Sequence, residues 1–279
     1  MNGKIVCINA SLHKVLLEND TIIDTKTRGK IRNEKIVPLV GDNVIVDVNT
    51  KTIEKILPRK NELRRPLVAN IDKLLIVMST SIPAFSDYLI DKFLLIALEN
   101  KIEPIIIITK TDLISEEEKN EIKKYMDYYR KLGIKVYINT SVSKIKEEFK
   151  DSVVALCGQT GAGKSSLLNK IDASLKLKTQ EVSLSLGRGK HTTRLVELLK
   201  LNDGLIADTP GFSSLELNID KKEIRKYYKD FDKYPCKYRS CLHIKEDGCE
   251  VIKQVEEGKI PLWRYQNYIK FISEVEKWK

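Results

Sequence analysis

The chain has 279 residues, enough for two or three domains with separate cores. Apolar residues make up 42% and charged residues 32%, the balance of a soluble globular protein, and apolar runs such as 74–78 are far too short to span a bilayer. A formal net charge of +10 suits a polyanionic partner such as nucleic acid. The opening Met1-Asn2-Gly3-Lys4 lacks a basic segment followed by a long apolar core, so a cytoplasmic protein without membrane association is expected. In that reducing compartment the five cysteines are not expected to form structural disulfides.

Residues 1–66 read as a small β domain. Short β-prone runs at 4–8, 14–17, 21–24, 43–48 and 52–57 are separated by polar or glycine-bearing turns. Five strands at this spacing predict a five-stranded OB-fold barrel. Its basic excess suits an oligonucleotide, although such a barrel serves equally as a spacer or a protein-binding module. The proline-bounded basic stretch Pro58 to Pro66 is the predicted linker. From Asn70 the pattern changes to apolar strands alternating with amphipathic helices: strand 71–78, helix 87–99, strand 102–108, a helix capped by Ser115 and running toward Lys131, and strand 134–138. This alternation predicts an α/β unit with a largely parallel sheet over residues 67–217. Residues 218–279 are helical by pattern, with helices expected at 219–231 and 261–278.

The strongest chemical signal is Gly158-Gln159-Thr160-Gly161-Ala162-Gly163-Lys164-Ser165-Ser166, a full G-x-x-x-x-G-K-S/T phosphate loop. It follows the apolar run 153–157 and opens a helix, the context in which this pattern binds nucleotide. The glycines let backbone N–H groups face phosphate oxygens, Lys164 reaches the β/γ-phosphates, and the Ser165 hydroxyl is placed to ligate Mg²⁺. Thr109-Lys110-Thr111-Asp112, at the end of strand 102–108, resembles the N/T-K-x-D guanine motif. Asp112 can accept from the guanine N1–H and amine, a donor pair adenine lacks, while the Lys110 stem lies along the base. Thr109 stands where Asn is commoner, and that Asn side chain ties the guanine loop to the phosphate loop. The loop Asn139-Thr140-Ser141-Val142, after the next strand, is expected to touch guanine O6. Asp208-Thr209-Pro210-Gly211 is a D-x-x-G element, with Asp208 on Mg²⁺ through water and the Gly211 N–H toward the γ-phosphate. The basic segment Gly187-Arg188-Gly189-Lys190-His191-Thr192-Thr193-Arg194 is the expected nucleotide-sensing switch, in which Thr192 or Thr193 completes the Mg²⁺ shell.

The order of these elements is rotated. Ordinary GTPases run phosphate loop, switch, D-x-x-G, guanine motif. Here the guanine motif and Ser141 precede the phosphate loop, a circular permutation that leaves the sheet and its site unchanged. It also attaches whatever follows directly to the D-x-x-G switch. The permuted order, the Gly-Arg-Gly-x-His-Thr-Thr segment and the preceding β domain together resemble the circularly permuted ribosome small subunit-dependent GTPase A family. The resemblance implies an N-terminal OB-fold, a permuted GTPase domain and a C-terminal zinc-binding helical domain. It also implies weak GTP hydrolysis stimulated by the small ribosomal subunit, with that subunit and its rRNA as partners in late maturation. A monomer is expected.

Cys236, Cys241, His243 and Cys249 add three thiolates and one imidazole within 14 residues, counted from 236 to 249. This is the ligand set of a closed, structural zinc site, and its spacing matches the family's zinc motif. Cys7 and Cys157 sit singly in apolar strands and read as core. Tyr234, Tyr238, Arg239 and Trp263 are candidates for RNA contact, with packing as the more common use of such aromatics. Phe212 occupies the position where Ras-like enzymes place a water-orienting Gln, so intrinsic turnover should be slow. His191 is the best internal candidate to accept a proton or orient the water, with Arg188 and Arg194 as alternatives for charge stabilisation. Rival readings are an RNA-binding GTP switch with little catalysis and a GTPase with a non-ribosomal target.

Overall fold

The structure, a computed structural model, describes residues 1–28, 37–64, 66–175, 196–208, 217 and 219–277. Strands β1 (Asn2–Asn9), β2 (Leu12–Leu17), β3 (Ile22–Thr27), β4 (Asn43–Asp47) and β5 (Thr52–Ile56) form the expected barrel. Their neighbour order β1-β2-β3-β5-β4 returns to β1, which closes the sheet. The β3–β5 seam is parallel and the remaining pairs are antiparallel. Every second residue points inward, so Ile5, Val15, Leu17, Val44, Val46 and Ile53 fill the interior. The β1–β2 pairing shifts register between Ile5 and Cys7. Ile5 stays in the barrel, whereas Val6 turns out of it into the core of the neighbouring unit beside Leu198 and Leu205.

The segment expected to be a linker is folded. Strands β6 (Glu62–Arg64) and β7 (Leu67–Ala69) pair antiparallel. The Arg59 guanidinium donates to both Asp42 carboxylate oxygens at 2.6 and 2.8 Å. Asn61 exchanges two hydrogen bonds with the Ile71 backbone, at 2.7 and 2.9 Å, and the Asn70 amide donates to Gly41 O at 2.9 Å. These bonds fasten the barrel base to the start of the next unit.

That unit is a six-stranded sheet of β8 (Lys73–Ser79), β9 (Glu103–Thr109), β10 (Lys135–Ile138), β11 (Val153–Cys157), β12 (Glu197–Leu201) and β13 (Gly204–Asp208), in the order β10-β9-β8-β11-β13-β12. All pairings are parallel except β12–β13. Both faces are buried, which explains the uninterrupted apolar strands. Leu74, Ile76 and Met78 share one core with Phe93 and Ile96 of α1 (Asp87–Glu99) and Ile122 and Met126 of α2 (Glu116–Lys131). Leu75 and Val77 face the other core with Ile145 of α3 (Val142–Glu147) and Leu167 and Leu168 of α4 (Lys164–Ile171). Ser115 caps α2 in a reciprocal capping box with Glu118. Barrel strand β1 pairs antiparallel with β12 at Cys7 and Glu197, so barrel and sheet form one ribbon of 11 strands.

The C-terminal part holds α5 (Lys221–Ile224), two 3₁₀ turns, α6 (Glu250–Glu256) and α7 (Leu262–Lys277). The single helix expected over 219–231 is therefore not present; α5 stops after one turn. Tyr228, Asp230 and Phe231 are all buried, and a helix would turn Asp230 roughly 200° away from Tyr228. Breaking the helix sends all three inward. The Arg264 guanidinium lies 3.9 Å from the Tyr228 ring centroid and also pairs with Asp230 and with Asp91 of α1. Asp91 further accepts from Tyr129 at 2.8 Å and Asn267 at 2.9 Å, and Tyr128 donates to Asp230 at 2.7 Å. Trp263 packs among Tyr125, Tyr128 and Tyr129, with ring centroids 4.8 to 5.8 Å apart, and is a packing residue. The C-terminal unit thus rests on α1 and α2, which flank the strand carrying the guanine motif. Chain connectivity alone suggested attachment to the switch side.

Candidate functional site

The C-terminal ends of β8, β9, β10 and β11 bring the predicted nucleotide-binding segments to one edge of the sheet, the place where parallel α/β sheets bind ligands. The phosphate loop runs from Gly158 to the first turn of α4. Gly158 has φ of 127°, and a Cβ there would lie 2.0 Å from Val77 O, so only glycine fits between the two strands. Gly163 caps α4 in the left-handed region at φ 92°. Lys164 begins the helix, and its ammonium donates to Gly158 O at 2.7 Å and Gln159 O at 2.8 Å. Burial lowers its pKa, with the Cys157 sulfur opposing that shift. Ala162 is fully buried, Ser165 is half-buried beside the loop, and Thr160, Gly161 and Ser166 face solvent.

Thr109 settles a question posed by its own identity. Its side chain is buried, and Oγ1 lies 2.6 Å from Ala162 O and 3.3 Å from Met78 O. Thr in place of Asn therefore still ties the guanine-motif loop to the phosphate loop. Lys110 adopts φ 60°, and its ammonium is held by Ile82 O, while Thr80 Oγ1 donates to Lys110 O at 2.7 Å. Thr111 and Asp112 form a 3₁₀ turn with the Asp112 carboxylate exposed. The 139–142 loop sits alongside: Asn139 N donates to Ile108 O at 2.9 Å, and Ser141 caps α3, which begins at Val142. The 80–83 loop was missed from the sequence. Its signal is Ile82-Pro83, directly after an apolar strand, with Pro83 against Gly161. Asp208 ends β13, one strand from the phosphate loop. Its side chain lies outside the described residues, as do Arg188, His191, Thr192, Thr193, Arg194, Gly211 and Phe212. A separate cavity of about 340 Å³, lined by Leu98, Glu103, Pro104, Leu132, Tyr227 and Lys229, lies at the opposite end of β9 and is not part of this edge.

A second cluster joins Cys236, Cys241, His243 and Cys249, whose ligand atoms all lie within 4.8 Å of one another. His243 Nδ1 is 3.4 to 3.5 Å from each sulfur, and the Cys236 and Cys249 sulfurs are 3.7 Å apart. These four residues could hold a metal ion. Burial, with the Arg225 guanidinium nearby, lowers the His243 pKa, which keeps the imidazole neutral and able to ligate. The loop has its own support. Burial alone would raise the Glu246 carboxyl, but the amides of Leu242, Ile244 and Lys245 hold it at about 2. Arg225 donates at 2.7 Å to both Arg239 O and Cys241 O. Cys7 and Cys157 are buried in their strands, as expected of core residues. Among the described residues no helix is long and apolar enough to cross a membrane.

Comparison with known proteins bears on the nucleotide site. A family model described as RsgA GTPase matches residues 56–218, and one described as RsgA N-terminal domain matches residues 2–54. The chain belongs to the RsgA GTPase family. Relatives named small ribosomal subunit biogenesis GTPase RsgA include one from Enterococcus faecalis, 45% identical over 99% of this chain and 96% of the relative. Another, from Halalkalibacterium halodurans, is 44% identical over 92% and 91%. Among solved structures, YloQ, described as a circularly permuted GTPase, covers 100% of this chain and 96% of its own at 35% identity and a TM-score of 0.84. YjeQ from Thermotoga maritima covers 98% of both at 34% identity and a TM-score of 0.85. RsgA membership accounts for the permuted order and makes this chain a GTPase.

Proposed function

We propose that this chain hydrolyses GTP to GDP and phosphate during late maturation of the small ribosomal subunit, with turnover stimulated by that subunit. The observation that carries this reading is the hydrogen bond from Thr109 Oγ1 to Ala162 O, which makes a guanine motif and a phosphate loop one unit, in a family whose relatives bear that name. Its working parts are a barrel over 1–66, a GTPase domain over 67–217 and a metal-binding helical domain over 218–279. It acts as a cytoplasmic monomer.

Asp112 accepts from the guanine N1–H and amine, Lys110 lies along the base, and the loop of Ser141 and Val142 offers N–H groups toward O6. Thr109 holds that loop in place, and Thr111 completes the motif beside the base. Gly158 through Ser166 surround the phosphates with N–H groups, and Lys164 exchanges its carbonyl partners for phosphate oxygens. Ser165, Asp208 and one of Thr192 and Thr193 would hold Mg²⁺, which supplies charge neutralisation between the β- and γ-phosphates when bound. The half-buried Ser165 hydroxyl beside the loop fits that role. Gly211 reads the γ-phosphate. Phe212 offers the attacking water no hydrogen bond, so His191 takes that task when the subunit docks. Zinc is the metal that suits the cysteine cluster. With zinc bonds of about 2.3 Å to sulfur and about 2.05 Å to nitrogen, a tetrahedron has edges of about 3.8 and about 3.6 Å. The Cys236–Cys249 separation of 3.7 Å and the three His243–cysteine separations of 3.4 to 3.5 Å support that size, and the whole set lies within 4.8 Å. Four protein ligands close the site, so its role is structural.

Multiple-turnover GTP hydrolysis with and without purified small subunits tests the reading. Marked stimulation is expected, together with co-sedimentation in a non-hydrolysable GTP analogue but not in GDP. Turnover indifferent to the subunit, with binding retained, would favour an RNA-binding GTP switch of little catalytic power, the reading that Phe212 supports.

A further inference from the structure

We propose that the loop between the first two cysteines of the metal cluster, Lys237-Tyr238-Arg239-Ser240, is a base-stacking contact for single-stranded RNA. This rests on the ribosomal reading above and names the chemistry by which one surface engages the partner. Four aromatic or basic side chains of this unit were candidates for RNA contact. Trp263 is used in packing against three tyrosines, and Tyr234 packs against the core around the metal cluster. Tyr238 differs, being 57% exposed.

An exposed ring on a floppy loop would mean little. This one is held at both ends. Cys236 and Cys241 bracket it and belong to the metal cluster. Cys241 N donates to Tyr238 O at 3.1 Å, closing a turn, and Arg225 fixes the carbonyls of Arg239 and Cys241 at 2.7 Å. The backbone that carries the ring is thus held, so less conformational entropy remains to be lost on binding. Cations flank it. Lys237 Nζ lies over one face of the Tyr238 ring, 5.4 Å from its centroid, and Arg239, the next residue in sequence, is exposed. An exposed ring whose two sequence neighbours are cations suits an unpaired nucleobase with its adjoining phosphates. Duplex RNA offers no free base face, which is why the occupant is single-stranded.

The test uses the full-length, metal-loaded chain and a fluorescently labelled 12-nucleotide oligouridylate, with a labelled duplex of equal length as control. Anisotropy at low salt reads the affinity. Tyr238→Ala should bind the single strand roughly 5- to 100-fold more weakly, the range of one lost base stack. Tyr238→Trp should bind as well as or better than the parent. Tyr238→Leu, which keeps apolar bulk without a π face, should behave like Tyr238→Ala. Metal content and far-UV circular dichroism, measured on each variant, show whether the loop is intact. Equal binding by the parent and Tyr238→Ala overturns the proposal, as does a Leu variant that binds like the parent, or a parent that does not prefer the single strand to the duplex. Co-sedimentation of the unaltered chain with small subunits separates the two readings. If it fails, the ribosomal function falls; if it holds while the Tyr238 variants match the parent on RNA, only the stacking contact falls.

Discussion

At Thr109 a single hydroxyl does the work usually given to an amide. Replacing it by the isosteric Val removes the donor and leaves Ala162 O unpaired in a buried setting, at a cost of about 1–3 kcal/mol. Thr109→Val should therefore lower the urea midpoint and weaken GDP binding in a fluorescence titration; no change in either would show that the bond is idle. Asp112→Asn exchanges one acceptor oxygen for a donor, so preference should move from guanine toward xanthine nucleotides in direct competition. Gly158→Ala should prevent nucleotide binding or folding, since its Cβ would meet Val77 O at 2.0 Å. Most of these residues were legible in the sequence because phosphate and guanine chemistry fix residue type at fixed spacing. The Thr109 bond was not, because a motif records which residue stands at a position and not where its hydroxyl points. Thr80 and Ile82 were missed for the same reason: their contribution to Lys110 runs through backbone carbonyls and a neighbouring side chain, which leave no residue signature.

Among the elements, α1 and α7 show where periodicity reads well and where it stops. Both helices lie where their apolar spacing put them, but the break after Ile224 had no local signal. It arises because Arg264, 34 residues beyond Asp230 by numbering, needs both Asp230 and Asp91. Arg264→Met should cost about 3–5 kcal/mol, because it strands two buried carboxylates. The pH dependence has a definite sign. Burial already pushes the Asp91 carboxyl up to about 6, against the pull of Arg264, Asn267 and Tyr129. A carboxyl raised above its unfolded value contributes its full stability below about pH 4 and loses it as pH rises through the folded value. Without Arg264 the folded value rises further, so the Met variant should recover part of its loss when denaturation is repeated near pH 5 rather than pH 8. A loss independent of pH would mean that Asp91 is not the stranded group. Metal removal belongs at this scale too. Cys241 and Cys249 form part of the core with Tyr228, Phe231, Tyr268 and Phe271. A chelator should therefore abolish the near-UV signal of these aromatics while guanine nucleotide binding, on a different edge of the molecule, persists.

For the whole molecule, the barrel, the permuted sheet and the tail with its Cys/His cluster were all legible, because each rests on residue types at fixed spacing. How they are fastened together was not. The Pro58 to Pro66 stretch looked like a tether and is a laced hairpin, since side chain to backbone bonds from Asn61 and Asn70 replace flexibility. The meeting of β1 with β12 joins Cys7 to Glu197, 190 residues apart by numbering, and no local pattern signals it. A chain shortened to residues 57–279 would lose Val6 and Val40 from the shared core and leave the outer edge of β12 unpaired. It should associate in light scattering and unfold at a lower midpoint than the full chain. A monodisperse fragment of unchanged midpoint would show that the barrel is merely appended.

Strand β1 belongs to two structures at once, with Ile5 in one core and Val6 in the other. The barrel therefore has no joint about which to swing, and its heading is set by the sheet. At the far side, Arg264 bolts the metal-bearing unit to α1. The molecule is a caliper whose two jaws are held on a common beam, and β12 and β13 lie on that beam between the barrel and the phosphate loop. A rigid surface that touches both jaws must therefore match an arrangement that the sheet sets in advance.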